Sequence, residues 1–295
     1  MVKPRVVVIA GPTATGKSAV ALDLAQRCTG TIINADASQL YADLRIVTAR
    51  PSPADEASVP HLLYGILDGA DACDAARWAG LARDAIAATL AVGRLPIVTG
   101  GSGLYLRALI DGIADVPPID AAVRAAVRAL DPAAARAELT SEDPGATVTD
   151  PQRVARALEV VRATGRTLRD WQADPSPGLD ADIHAVVVDR PRAELHARID
   201  QRLAAMVAAG ALAEVAALAA KGLAADAPVM KAIGVAALHA AARDEIGLDA
   251  AIAATAAATR RYAKRQSTWF RNQTPTWPRS IAGSILTIFP QTDPK

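Results

Sequence analysis

Little in this chain could hold a metal cluster, a disulfide framework or a membrane. The two cysteines, Cys28 and Cys73, lack CxxC spacing, and His61, His184, His196 and His239 are scattered. Neither a structural zinc site nor a bridged scaffold is expected. Aromatics make up only 3% of residues and the net charge is +1. With so weak a global field, any nucleic-acid contact must come from local basic patches. No apolar run reaches the roughly 18 residues of a membrane span. The short N-terminal apolar run leads straight into a glycine loop, which argues against a signal peptide. A cytoplasmic monomer with reduced thiols is expected. At 295 residues and 51% hydrophobic, the chain can bury one large core, with room for a small accessory domain.

What is present is a phosphate loop. Gly11-Pro12-Thr13-Ala14-Thr15-Gly16-Lys17-Ser18 fits G-x-x-x-x-G-K-[ST] at every position and follows the apolar run 5–10. The glycines let backbone N–H groups close on phosphate oxygens, and the following helix presents its positive end. Lys17 adds a mobile charge, and the Ser18 hydroxyl suits a phosphate-bound Mg²⁺.

Further apolar strand candidates at 31–35, 95–99 and 185–188 are separated by alanine-rich helical stretches. That alternation predicts an α/β fold: a P-loop NTPase-like parallel sheet flanked by helices. Strand signal vanishes over 117–178, which reads as a helical insert between core segments 1–116 and 179–295. Ligands of parallel sheets gather at the carboxyl ends of the strands. Two more polar clusters fall there, Asn34-Ala-Asp36-Ala37-Ser38-Gln39 and Gly100-Gly-Ser102-Gly103.

Asp36 is placed to accept a proton or to face Mg²⁺, and equally to cap a helix. Asp189 is a rival metal aspartate, although capping of the helix after Pro191 explains it more simply. The glycines at 100–103 form either a second anion cradle holding the Ser102 hydroxyl or a plain tight turn. In the insert, Asp150-Pro151 opens a helix whose first turns carry Arg153 and Arg156. Positive charge there opposes the helix dipole by about 0.3–1 kcal/mol, which suits an anionic partner or simple solvation. The insert as a whole is not basic. The segment from Arg260 to Arg271 carries Lys264 and Arg265, no acid, and interleaved Tyr262, Trp269 and Phe270. Such a helix offers cations and stacking faces to nucleic acid, while cations at a helix C-terminus also suit the dipole.

In order and spacing, these blocks resemble the tRNA dimethylallyltransferases, also called tRNA isopentenyltransferases, of the IPP transferase family. Also matching are Thr48-Ala-Arg50-Pro51, His61-Leu-Leu63 and Asp150-Pro-Gln152-Arg153-Val154-Ala155-Arg156, and the likeness runs from residue 5 to about 277. It implies transfer of an isoprenyl group from dimethylallyl diphosphate, with Mg²⁺, to the exocyclic amine of the tRNA adenosine 3′ of the anticodon. By the same resemblance Asp36 is the general base, with Lys17 and Ser102 also catalytic. Residues Gly11 to Ser18 hold the diphosphate or a nucleotide, and Ser18 serves the metal. Contacts to tRNA are implied at Asp36, Ala37, Ser38, Gln39, Ser102, Arg124, Gln152, Arg153, Val154, Ala155, Arg156, Lys231, Lys264, Arg265, Gln266 and Arg271, with 117–178 acting as a swivelling insert domain. Ala37 stands where the family has Ser, Arg50 where it has Lys, Ser102 where it usually has Thr, and Val235 where Tyr is common. Kinases of small molecules, isopentenyltransferases acting on free adenine nucleotides, and non-catalytic RNA-binding NTPases share the loop. The first two would need neither the insert nor the basic helix.

Overall fold

The computed structural model describes residues 3–281. Among them, six strands run β1 (Arg5–Ala10), β2 (Gly30–Asn34), β3 (His61–Leu62), β4 (Leu95–Gly100), β5 (Asp182–Asp189) and β6 (Arg279–Ile281). All neighbours are parallel, in the order β3-β2-β4-β1-β5-β6. The helices are α1 (Lys17–Arg27), α2 (Pro53–Ser58), α3 (Ala75–Ala91), α4 (Gly103–Ile110), α5 (Ala121–Arg128), α6 (Pro132–Glu142), α7 (Pro151–Thr164), α8 (Leu168–Ala173), α9 (Arg192–Ala208), α10 (Ala211–Ala220), α11 (Val235–Ala242) and α12 (Leu248–Gln273).

Two compact units emerge among the described residues: 3–106 with 180–281, and Arg107–Leu179. The first holds the sheet. Strands covered on both faces must be apolar throughout, and Val6 to Ala10, Ile32, Ile33, Ile97, Val98 and Val186 to Val188 are all buried. Trp78 of α3 is fully buried and donates its indole N–H to the Asn34 carbonyl at 3.0 Å. Gly100 closes the end of β4 so tightly that a Cβ there would lie 2.1 Å from the Ala35 carbonyl. Close approach of this kind brings the ends of β1, β2 and β4 together as one ligand-facing edge.

The second unit packs α5, α6 and α7 around Val127, Leu139, Val154 and Leu158. Asp120, Asp131, Asp150 and Thr167 cap its helices. Arg162 of α7 pairs with Glu138 and Glu142 of α6. This unit is wider than 117–178 because residues 109–114 are bound to 175–179. Ser176 N–H donates to the Ile113 carbonyl at 3.0 Å, and Leu179 N–H to Leu109 at 2.9 Å.

Strands β3 and β6, of two and three residues, are too short to carry a periodic signal and are visible only as pairings at the sheet edges. Asp189 does not cap α9. Pro191 holds the cap position with no side-chain bond, while the Asp189 carboxylate accepts the Arg190 N–H at 2.9 Å and lies 3.8 Å from Arg279. Nor is it part of a metal cluster: no group of three His, Cys, Asp or Glu side chains is gathered among the described residues.

Candidate active site

The phosphate loop leaves β1 at Gly11, where φ is +151° and a Cβ would meet the Val188 carbonyl at 2.4 Å. Ala14 and Gly16 also take positive φ, 65° and 98°. Only the glycines adopt this region without strain. The buried Thr15 hydroxyl donates back to the Pro12 carbonyl at 2.9 Å and rounds the turn. Lys17 opens α1, and its ammonium reaches the same carbonyl at 3.4 Å. Burial lowers the Lys17 pKa to about 8; the charge of Asp36 works against this and that of Arg202 adds to it. The lysine is thus short of negative charge.

Three arginines brace the loop from outside. Arg190 donates to the Thr15 carbonyl at 2.7 Å, Arg198 to the Ala14 carbonyl at 2.9 Å, and Arg202 to the Thr13 hydroxyl at 2.9 Å. Arg198 and Arg202 lie four apart on α9, so one helix face presents both to the loop. Sequence reading passed over them because arginines at that spacing also decorate solvated helices. Burial pulls the Arg202 guanidinium below its ordinary pKa; the charge of Asp36 works against this and that of Arg198 adds to it.

Asp36 lies two residues beyond the end of β2. The fully buried Asn34 side chain brackets it, accepting the Asp36 N–H at 2.8 Å and donating to the Asp36 carbonyl at 3.0 Å. Asp36 does cap the short 3₁₀ turn Ala37–Leu40. Its Oδ1 accepts the Ser38 N–H at 3.1 Å and the Ser38 hydroxyl at 2.8 Å. Capping and chemistry are compatible here, because Oδ2 keeps no hydrogen-bond partner among the described residues. Ser102 turns inward to the same place, its hydroxyl accepting the Ala37 N–H at 3.0 Å.

Asp36, Ala37 and Ser38, with Thr13 of the phosphate loop and Arg202, line a cavity of about 350 Å³. Its lining combines the polar Thr13, Asp36, Arg202, Lys231, Tyr262 and Arg265 with the apolar Val47, Ile199, Leu203, Met206 and Leu238. An anion-binding rim, a carboxylate and a greasy wall can hold a charged head, a short hydrocarbon and a proton donor at once. Burial foremost, and then the Asp36 charge, keep the Tyr262 phenol protonated well above its usual pKa.

The remaining sequence candidates divide by what they touch. Gln39 spends its amide on the Thr48 and Ala49 carbonyls, at 2.8 and 2.9 Å. Gln266 is buried and points to the phosphate loop. Lys264, Arg265 and Arg271 are exposed on α12, Arg265 with its guanidinium 5.5 Å from the Tyr262 ring centre. In the helical unit Arg124, Gln152 and Arg153 are exposed, Val154 is core, and Arg156 lies 3.8 Å from the buried Glu159. A further role escaped the sequence: the Glu214 carboxylate accepts the N–H groups of Arg45, Ile46 and Val47 at 2.7–2.8 Å, fixing the turn that carries Val47. Arg50 lays its guanidinium on Gly65, where a Cβ would lie 2.1 Å from it.

A single magnesium ion is usually held by one or two protein oxygens plus substrate phosphates. The donor set fits that pattern. Ser18, exposed in the first turn of α1, offers a hydroxyl with no hydrogen bond among the described residues, and no carboxylate cage accompanies it.

Comparison with known proteins shows what the chain is similar to. Residues 39–273 match the family model described as IPP transferase, and residues 4–63 match isopentenyl transferase. A protein of Rhodospirillum rubrum named tRNA dimethylallyltransferase is 52% identical over 277 residues, 90% of this chain and 85% of that protein. One of the same name from Sphingopyxis alaskensis is 52% identical over 289 residues, covering 95% and 94%. Among solved structures, the tRNA isopentenylpyrophosphate transferase of Bacillus halodurans superposes with TM-score 0.69 at 30% identity, covering 97% of this chain and 94% of that one. A eukaryotic dimethylallyltransferase acting on tRNA gives TM-score 0.82 at 25% identity, covering 96% and 75%.

Proposed function

The chain belongs to the IPP transferase family, and from that premise we propose that it transfers a dimethylallyl group from dimethylallyl diphosphate to the exocyclic N6 amine of the adenosine 3′ of the anticodon in tRNA. One observation carries the reading. Asp36, with Oδ2 unpartnered, shares a cavity with Arg202 and the phosphate-loop residue Thr13, facing an apolar wall.

The diphosphate lies against the amides of residues 11–18, where Lys17 and Arg202 supply charge. Its hydrocarbon rests on Ile199, Leu203 and Met206. As the allylic carbon–oxygen bond breaks, negative charge grows on the departing diphosphate, and fixed cations in a partly desolvated site are suited to stabilise it. The adenine amine attacks the allylic carbon, and Asp36 Oδ2 takes the proton that the amine loses. Ser38, bonded to Oδ1, keeps the carboxylate oriented. Mg²⁺ bound to the diphosphate, with Ser18 as its protein ligand, would neutralise leaving-group charge. An adenine inside a stacked loop must be turned out to reach this cavity. Lys264, Arg265 and Arg271 of α12 supply phosphate contacts in that docking, and Arg124, Gln152 and Arg153 of the helical unit supply more. Among the described residues no single helix is long and apolar enough to cross a membrane.

The test is incubation with labelled dimethylallyl diphosphate, Mg²⁺ and either unmodified tRNA or AMP. Label on tRNA alone supports the proposal. Label on AMP moves the activity to free nucleotides, and label on neither refutes prenyl transfer to adenine.

A further inference from the structure

Helix α12 faces two ways within one turn. Lys264 and Arg265 are exposed, and the next residue, Gln266, is buried. Its amide is fully used inside the protein. Oε1 accepts the backbone N–H of Thr13 in the phosphate loop at 2.8 Å, and Nε2 donates to the Gly101 carbonyl in the glycine turn after β4, also at 2.8 Å. The fit is close, since a Cβ on Gly101 would lie 2.2 Å from Nε2. One turn earlier, Tyr262 lies beside Gln266 and Ser102. Ser102 in turn holds the Ala37 N–H beside Asp36. Gln266 therefore joins the phosphate loop to the glycine turn, and the next residue of that turn, Ser102, holds Ala37.

We propose that Gln266 is a positioning residue: from the helix whose outer face is cationic, it sets the shape of the phosphate loop for the diphosphate and, through Gly101 and the adjoining Ser102, the placement of the base relative to that loop. This rests on the prenyl-transfer reading above. It gives Gln266 a role other than direct RNA contact, because neither end of its amide is free. A loop amide pinned from outside stays pre-organised before the donor arrives, so affinity is not spent on ordering it. The Gly101 and Ser102 link acts at the base, in the cavity that the Tyr262 side chain shares with Asp36, and so bears on turnover rather than on donor affinity.

The experiment uses full-length Gln266→Met, which keeps volume but loses both hydrogen bonds, and Tyr262→Phe, which removes a hydroxyl from the cavity and leaves the Thr13 and Gly101 contacts. Binding of an unreactive thio-analogue of dimethylallyl diphosphate is measured without tRNA, tRNA binding is measured separately, and turnover completes the set. Gln266→Met should weaken the analogue about tenfold, the scale of one lost hydrogen bond, and lower kcat, with tRNA affinity within about twofold. Tyr262→Phe should bind the analogue normally and lower kcat. Unchanged analogue affinity in Gln266→Met overturns the proposal, whether the loss appears in tRNA binding, making Gln266 an RNA reader, or only in melting temperature, making it filler. If wild-type protein binds the analogue but modifies no tRNA, the functional reading fails, while the analogue arm still tests the staple.

Discussion

The Ser102 hydroxyl accepts the backbone N–H of Ala37 at 3.0 Å, across 65 residues of chain. A single oxygen thereby ties the glycine turn after β4 to the residue following Asp36. Ser102→Ala leaves that N–H unpaired, a loss of about 1–3 kcal/mol, and should let the Asp36 turn drift. Turnover should fall about tenfold or more by that measure, and Ser102→Thr, which keeps the hydroxyl, should restore it. Steady-state kinetics of the two variants decides.

Asp36→Asn preserves an oxygen for Ser38 and removes the proton acceptor. Transfer should drop by roughly 10²–10⁴, the usual span for a general base. Binding of tRNA should change little. Normal single-turnover rates in this variant would remove Asp36 from the chemistry.

The pKa of Lys17, near 8 and below the ordinary 10.5 because the group is buried, gives donor binding a pH dependence. The ammonium is the form that attracts diphosphate. Below about pH 8 it is already charged and affinity is on its plateau; as pH rises through 8 the free enzyme loses that proton and affinity falls. Bound diphosphate pulls the pKa back up, so binding above pH 8 takes protons from the buffer. Calorimetry in buffers of different ionisation enthalpy should detect this uptake in wild type and not in Lys17→Met.

Arg202 and Arg271 separate donor from RNA. Arg202→Ala removes a charged contact at the Thr13 hydroxyl and should weaken the donor by about 1.5–3 kcal/mol without altering the salt dependence of tRNA binding. Arg271→Ala should do the reverse, weakening tRNA and reducing the slope of log K against log salt by about one. Filter binding across a salt series distinguishes the two.

Gly100→Ala places a methyl 2.1 Å from the Ala35 carbonyl at the junction of β4 and β2. Backbone cannot yield there as a side-chain tip can. Thermal unfolding should show a destabilisation of about 1–3 kcal/mol, typical of overpacking, while Gly93→Ala, with nothing within 4 Å but a φ of +68°, loses only the strain of its turn.

The parallel sheet, the phosphate loop, Asp36 and the cationic α12 were all legible in the chain. Each rests on residues adjacent in sequence: an eight-residue spacing, an apolar run ending in a polar cluster, a helix period. The edge strands β3 and β6 were not, since two or three residues have no period. Neither were Arg190, Arg198, Arg202 or Glu214. Nothing local distinguishes a helical arginine braced on a loop from one in water, and these contacts join positions more than 160 residues apart.

By itself the sequence determined which groups are available: a phosphate cradle, a carboxylate at a strand end, a hydroxyl on a glycine turn, and a basic helix. Tertiary structure decided which of them face one another. It turned Gln266 inward to Thr13, left Arg271 exposed on α12, and set Asp36, Arg202 and Arg265 on the wall of one cavity. The physical reason is that a buried polar group must find its partner wherever packing brings one, and packing is a property of the whole chain.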